Sequence, residues 1–267
     1  MADDYEVKRT IWDGKVPIEF VLDPSETRAH QSFFVMLPRI SYFPLYLSKI
    51  LQFFQHNVDE VEDVNIKDVW LAVNGKMLKW NYPIGVLYDI HVADNNLPWL
   101  VTLRFKNFPD ELVKCGTYDS MKHYFLQTVK EADQMKHKGA VMSAMKVEEH
   151  GQLFQSIMND KFDDFWAVNK KLMELSDPKF VHIPVRFYLH DQPFRQVLIT
   201  SESDGEPVLL SLALKKACPE LEMSDLVVVS HGIPVPVDSP VLWLSRNFAY
   251  PDNFVHLVIR NKSESDF

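Results

Sequence analysis

The sequence predicts an α+β protein in which two ubiquitin-like β-grasp domains flank a helix-rich domain. Two observations lead there. The chain carries an approximate duplication near its two ends, and its middle, residues 118–175, contains no run that alternates as a strand does. With 267 residues, 46% of them hydrophobic, it has the material for more than one core.

The first copy opens with two strand-like runs, Val16-Pro17-Ile18-Glu19-Phe20-Val21-Leu22 and Phe33-Phe34-Val35-Met36-Leu37. A helical stretch follows through Leu45, Leu47, Ile50, Leu51, Phe53 and Phe54. Then come Val69-Trp70-Leu71-Ala72-Val73, Gly75, and Pro83 before Ile84, Val86 and Leu87; Pro98 and Trp99 to Phe105 close the copy. A β-rich run, a Gly turn and a short return make a hairpin. The Pro suits the first turn of a short helix, where its missing N–H costs nothing. The last apolar run reads as a central strand buried on both sides.

The second copy repeats the order. Ile183 to Leu189 and Phe194 to Ile199 form the first pair of strand-like runs, and a helix through Val208, Leu209, Leu212, Leu214 and Ala217 follows. Leu226-Val227-Val228-Val229, Gly232, Pro240 before Val241, Leu242 and Leu244, then Pro251 and Phe254 to Ile259 complete it. Pro follows Gly by eight positions in both copies. Hairpin, helix, hairpin, short helix, strand is the order of the β-grasp. The expected division is 1–106 for the first such domain with an N-terminal segment, 107–180 for a linker and the helices, and 181–267 for the second with a polar tail.

In the middle, Met121, Phe125, Thr128, Val129, Ala132 and Met135 fall at helical spacing. Leu153, Phe154, Ile157 and Met158 suggest a further helix. A third carries the stripe Phe162, Phe165, Trp166, Asn169, Leu172 and Met173, with Asp160 as its expected N-cap and Asp163 and Asp164 in its first turn. These stripes read as core.

Several function classes drop out. The net charge is −9 and no third of the chain is basic, which argues against nucleic acid and against autonomous adhesion to anionic membranes. No run approaches the ~20 apolar residues of a membrane span. The opening Met1-Ala2-Asp3-Asp4-Tyr5-Glu6 is acidic, unlike a secretory signal. Two cysteines allow no disulfide framework or four-cysteine zinc site. The ten histidines show no metal-ligand spacing, and the eight glycines form no phosphate-binding loop. No cofactor, metal or catalytic residue is expected, and a reducing cytosol is the expected compartment. Neither β-grasp copy is expected to be a modifier itself, since no glycine tail follows Asn261 in the residues given.

Three candidates for chemistry remain. Cys115 with His123 gives a possible thiol nucleophile without an orienting third group, against an incidental thiol; Cys218 before Pro219 reads as structural. Lys130 points about 170° from the centre of its helix's apolar stripe, against about 90° for Lys122 and about 50° for Lys136. Geometry alone leaves two readings of Lys130: an acceptor amine, or a solvated lysine paired with Glu131 or Gln134. Gly85 and Asp89 lie four apart on the short helix after Pro83, hence on one face. Either they admit and pair with a partner helix, or Gly85 merely loosens the turn and Asp89 is solvated.

At these residues the sequence resembles the autophagy protein 5 family. The resemblance rests on Leu78 to Asp89 (LKWNYPIGVLYD), Lys130 to Lys138 (KEADQMKHK), Asn159 to Glu174 (NDKFDDFWAVNKKLME) and Tyr250 to Phe254 (YPDNF). It spans nearly the whole chain, and more loosely the opening segment and residues 190–225. It implies two ubiquitin-like domains around a helical one, and a non-catalytic scaffold of autophagosome formation, cytoplasmic and recruited to preautophagosomal membranes as an indirect or peripheral associate. Lys130 matches the lysine joined by an isopeptide bond to the C-terminal glycine of autophagy protein 12, through E1-like and E2-like enzymes. Gly85 and Asp89 match positions implicated in binding the N-terminal helix of autophagy protein 16. The conjugate would act in a ligase-like (E3-like) way, promoting transfer of an autophagy protein 8-type modifier to phosphatidylethanolamine. Lys122 stands where the family more often has an acidic residue. A non-covalent peptide-binding adaptor and a thiol enzyme using Cys115 are the rival readings.

Overall fold

The computed structural model describes residues 4–92, 96–114, 118–174 and 180–262. The chain divides into two compact units, residues 15–123 and residues 1–14 with 124–267.

In residues 15–123, β1 (Lys15–Leu22) pairs antiparallel with β2 (Ser32–Pro38) and parallel with β5 (Trp99–Arg104). With β3 (Trp70–Val73) and β4 (Lys76–Met77) the sheet order is β2-β1-β5-β3-β4. A parallel central pair, the first and last strands of the copy, is the mark of the β-grasp. Alternate β1 residues Val16, Ile18, Phe20 and Leu22 face inward. They share a core with Leu47, Ile50, Leu51 and Phe54 of α2 (Leu47–Asn57), an amphipathic helix. Asn74 and Gly75 both have positive φ, which makes the two-residue turn that lets β4 return beside β3. Pro83 stands at the N-cap of α3 (Ile84–His91).

In the other unit, α1 (Tyr5–Asp13) carries Trp12, whose indole packs on Phe162 and Phe165 with ring centroids at 5.7 and 5.1 Å. Residues 5–13 therefore group with the helices rather than with the first β-grasp. Then come α4 (Tyr118–His137), α5 (Ala140–Ala144), α6 (Val147–Met158) and α7 (Phe162–Met173); α4 belongs to this unit from Tyr124 onward. Phe125, Val129 and Ala132 of α4 are fully buried, Phe125 against Phe154 of α6. Asp163 and Asp164 open α7 as expected. Asp160 does not cap it. Asp160 has φ +53 and accepts a 2.8 Å hydrogen bond from the Trp12 indole, a partner 148 residues away that no local pattern reveals.

The second β-grasp comprises β6 (Val185–Tyr188), the small hairpin β7 (Glu202–Ser203) and β8 (Glu206–Pro207), α8 (Leu210–Ala217), β9 (Leu226–Ser230), β10 (Ile233–Pro234), α9 (Val241–Asn247) and β11 (Val255–Asn261). Its sheet order β10-β9-β11-β6 again puts a parallel pair of first and last strands together. His231 and Gly232 repeat the double positive-φ turn, and Pro240 the N-cap. Two expectations change. The run Phe194 to Ile199 forms only isolated bridges, Phe187 with Arg195 and Ile183 with Ile199. The buried face of α8 is Leu210, Ala213, Leu214 and Ala217, while Leu209 and Leu212 are exposed.

The two closing strands also differ. β11 is buried on both faces from Val255 to Ile259, as expected, but β5 alternates, and Leu100 is 53% exposed. Beside the β6–β11 sheet lies α4, which reaches β6 through Glu131 on Arg186 and the loop entering β11 through Lys136 on Asn253.

Candidate functional site

Lys130 sits within the twenty-residue α4, on the face opposite Phe125, Val129 and Ala132. Its side chain is exposed and, among the described residues, makes no hydrogen bond, ion pair or ring contact. The two neighbours expected to hold it are placed elsewhere. Glu131 pairs with Arg186 at 3.1 Å, and the Gln134 side chain lies beside Gly139. The result is an unpartnered side-chain nitrogen on a four-carbon stem, carried by a backbone fixed by its buried side.

The same helix shows the opposite case at Lys136, which is 1% exposed. Its ammonium donates to Leu172 O at 2.8 Å and Asn253 Oδ1 at 2.6 Å, with Met173 Sδ at 3.7 Å. Burial pushes its pKa down to about 7, opposed in part by Asp133. Lys122 is half-buried.

Gly85 and Asp89 do not form an open face. Both are buried, and the Arg39 guanidinium ties them together, bonding the Asp89 carboxylate and, at 3.2 Å, the Gly85 carbonyl. Gly85 N–H returns a 2.7 Å bond to Arg39 O. Asp89 is not solvated: it forms a buried ion pair with Arg39 between α3 and the end of β2. Sequence reasoning missed Arg39; a basic residue at the end of a strand in an otherwise apolar segment was its only signal.

Cys115 lies outside the described residues, and His123 is exposed. Cys218 is buried at the C-cap of α8, its thiol pushed up by burial. Tyr188, His256 and Asp252 make a chain, Tyr188 Oη to His256 Nδ1 at 2.7 Å and His256 Nε2 to Asp252 at 2.9 Å. All three are nearly inaccessible, so the chain braces the sheet and no substrate reaches it. Among the described residues no group of ligating side chains converges as a metal site, and no helix is long and apolar enough to cross a membrane.

Comparison with known proteins covers the same segments. Family models described as autophagy protein ATG5 match residues 11–105 (UblA domain), 118–175 (alpha-helical bundle region) and 182–259 (UblB domain). The chain is 37% identical to autophagy protein 5 of Drosophila melanogaster, with 98% of this chain and 99% of that one aligned. It is 36% identical to autophagy-related protein 5 of Caenorhabditis elegans, over 96% and 98%. Among solved structures, that of Kluyveromyces marxianus Atg5 superposes with a TM-score of 0.82 at 20% identity over 96% of this chain and 99% of that one, a likeness of fold.

Proposed function

Since the chain belongs to the autophagy protein 5 family, which gives it a part in autophagy, we propose that it is a conjugation acceptor and assembly scaffold whose reactive group is Lys130. The observation that carries this reading is the unpartnered, exposed ammonium on a helix anchored by its other face. After losing a proton to a base supplied by the conjugating enzyme, the Lys130 amine attacks the thioester carbonyl of a ubiquitin-like modifier, autophagy protein 12. The attacking nitrogen gives its second proton to the same base or to the departing sulfur, the C–S bond breaks, the enzyme's thiol leaves, and an isopeptide bond remains. The chain contributes position rather than catalysis.

The same reading has the N-terminal helix of autophagy protein 16 bind near α3. Gly85 and Asp89 would shape that surface from beneath through Arg39, given their burial. It also has the conjugate recruited to preautophagosomal membranes, where it promotes lipidation of autophagy protein 8-type modifiers by the E2-like enzyme.

The test is Lys130→Arg in a reconstituted reaction with the E1-like and E2-like enzymes and the modifier. A guanidinium stays protonated and cannot attack, so the adduct band should vanish while the melting temperature stays that of the parent chain. An adduct of undiminished yield on the variant would refute the assignment of Lys130.

A further inference from the structure

We propose that the second β-grasp binds an extended segment of a partner protein in the groove between α8 and the sheet edge at residues 194–200, and that this segment has an apolar centre and an acidic end lying over Lys215 and Lys216. The site is separate from Lys130 and from the Arg39–Asp89 pair.

The edge supplies the first half of the argument. Arg195 exchanges both backbone hydrogen bonds with Phe187, and Ile199 O accepts from Ile183 N–H. In an antiparallel pairing alternate residues turn their N–H and C=O the same way, so those of Gln196, Leu198 and Thr200 point away from β6. None of these three N–H groups has a backbone partner among the described residues. An exposed row of unpaired amides is a template for another strand.

The groove supplies the second half. Its volume is about 420 Å³, and Ile199, Val208, Leu212 and Ala213 form its apolar floor. Leu212 is 52% exposed. In the first β-grasp, Phe33 of β2 packs on Phe53 of α2 at 4.8 Å. The second copy has no such ring pair, because α8 (LSLALKKA) carries no aromatic residue.

Charge then selects the occupant. Lys215 and Lys216 are exposed at the C-terminal end of α8, and neither is ion-paired among the described residues. Lys216 Nζ reaches across to Leu198 O at 2.7 Å. An added strand that takes this carbonyl frees the ammonium for a carboxylate. The other end of the groove carries Glu202, Asp204 and Glu206 on the β7–β8 hairpin, which repel an acidic residue. A segment acidic at one end only is thereby bound in one direction.

The experiment is fluorescence anisotropy of the full chain with labelled dodecapeptides, each holding a Val-Ile-Val-Ile centre flanked by three glutamates, on the N-terminal side in one and the C-terminal side in the other. One order should bind to saturation and more tightly than the other. Leu212→Asp, at an exposed position, and the pair Lys215→Glu with Lys216→Glu should each weaken it about tenfold with an unchanged melting temperature. A peptide with lysines for the glutamates should prefer the charge-reversed pair. The proposal is overturned if neither order saturates, if both orders bind equally, if Leu212→Asp binds like the parent chain, or if the lysine peptide shows no such preference.

Discussion

Lys130 and Lys136 are six residues apart on one helix, and the structure makes them different acids. Lys136 has traded water for Leu172 O and Asn253 Oδ1, lies 5.3 Å from the Phe180 ring centre, and has its pKa depressed from 10.5 to about 7. A lysine whose folded pKa is lowered binds fewer protons in the folded than in the unfolded state between those two values, so its burial opposes folding at pH 7 and opposes it less as pH rises. The stability of the parent chain relative to Lys136→Met should therefore increase between pH 7 and 9.5, by a few kcal/mol as an order of magnitude. Urea denaturation at the two pH values measures it. A difference that does not change with pH would contradict the perturbed ammonium.

At the scale of elements, α3 is held to β2 by the Arg39–Asp89 pair. Removing one partner strands a buried charge, so Asp89→Ala should cost about 3–5 kcal/mol in urea denaturation, whereas Arg39→Met with Asp89→Leu should lose much less. A double variant as unstable as the single would show that the pair does not offset itself. The same double variant separates structure from recognition: if Asp89 shapes the partner-helix surface only through its clamp, a folded double variant should bind the autophagy protein 16 helix with altered affinity by calorimetry, and unchanged affinity would remove both residues from recognition. What could be read from the sequence follows the range of the interactions. The Gly turns, the Pro before each short helix and the exposed face of α4 depend on residues a few positions apart, and all were legible. Arg39 with Asp89, and Trp12 with Asp160, join residues 50 and 148 positions apart, so Asp89 read as solvated and Asp160 as a cap. The run 194–199 has a strand's composition, but its ladder with β6 is incomplete, which composition does not show.

At the scale of the molecule, α1, α4 from Tyr124 onward, α5 to α7 and the second β-grasp share one compact unit, and both α4 and α7 bond to the second β-grasp. Val181 and His182 donate backbone bonds to the carbonyls of Lys136 and Met135 at 2.9 and 3.0 Å. Asn253, fully buried at φ +69, accepts from Lys136 and donates to Asn169 Oδ1 of α7 at 2.8 Å. One side chain thus links α4, α7 and the loop entering β11. Asn tolerates the left-handed conformation that Ala resists, and Ala there also leaves Lys136 and Asn169 short of partners. Asn253→Ala should cost about 2–4 kcal/mol. Because the joint is shared, amide protection by hydrogen exchange should fall together in α4, α7 and β11. Loss confined to the loop would mean that the helices do not depend on the sheet. If protection does fall together, the backbone that presents Lys130 is held in place by contacts that begin 117 residues further along the chain, between Lys136 and Asn253.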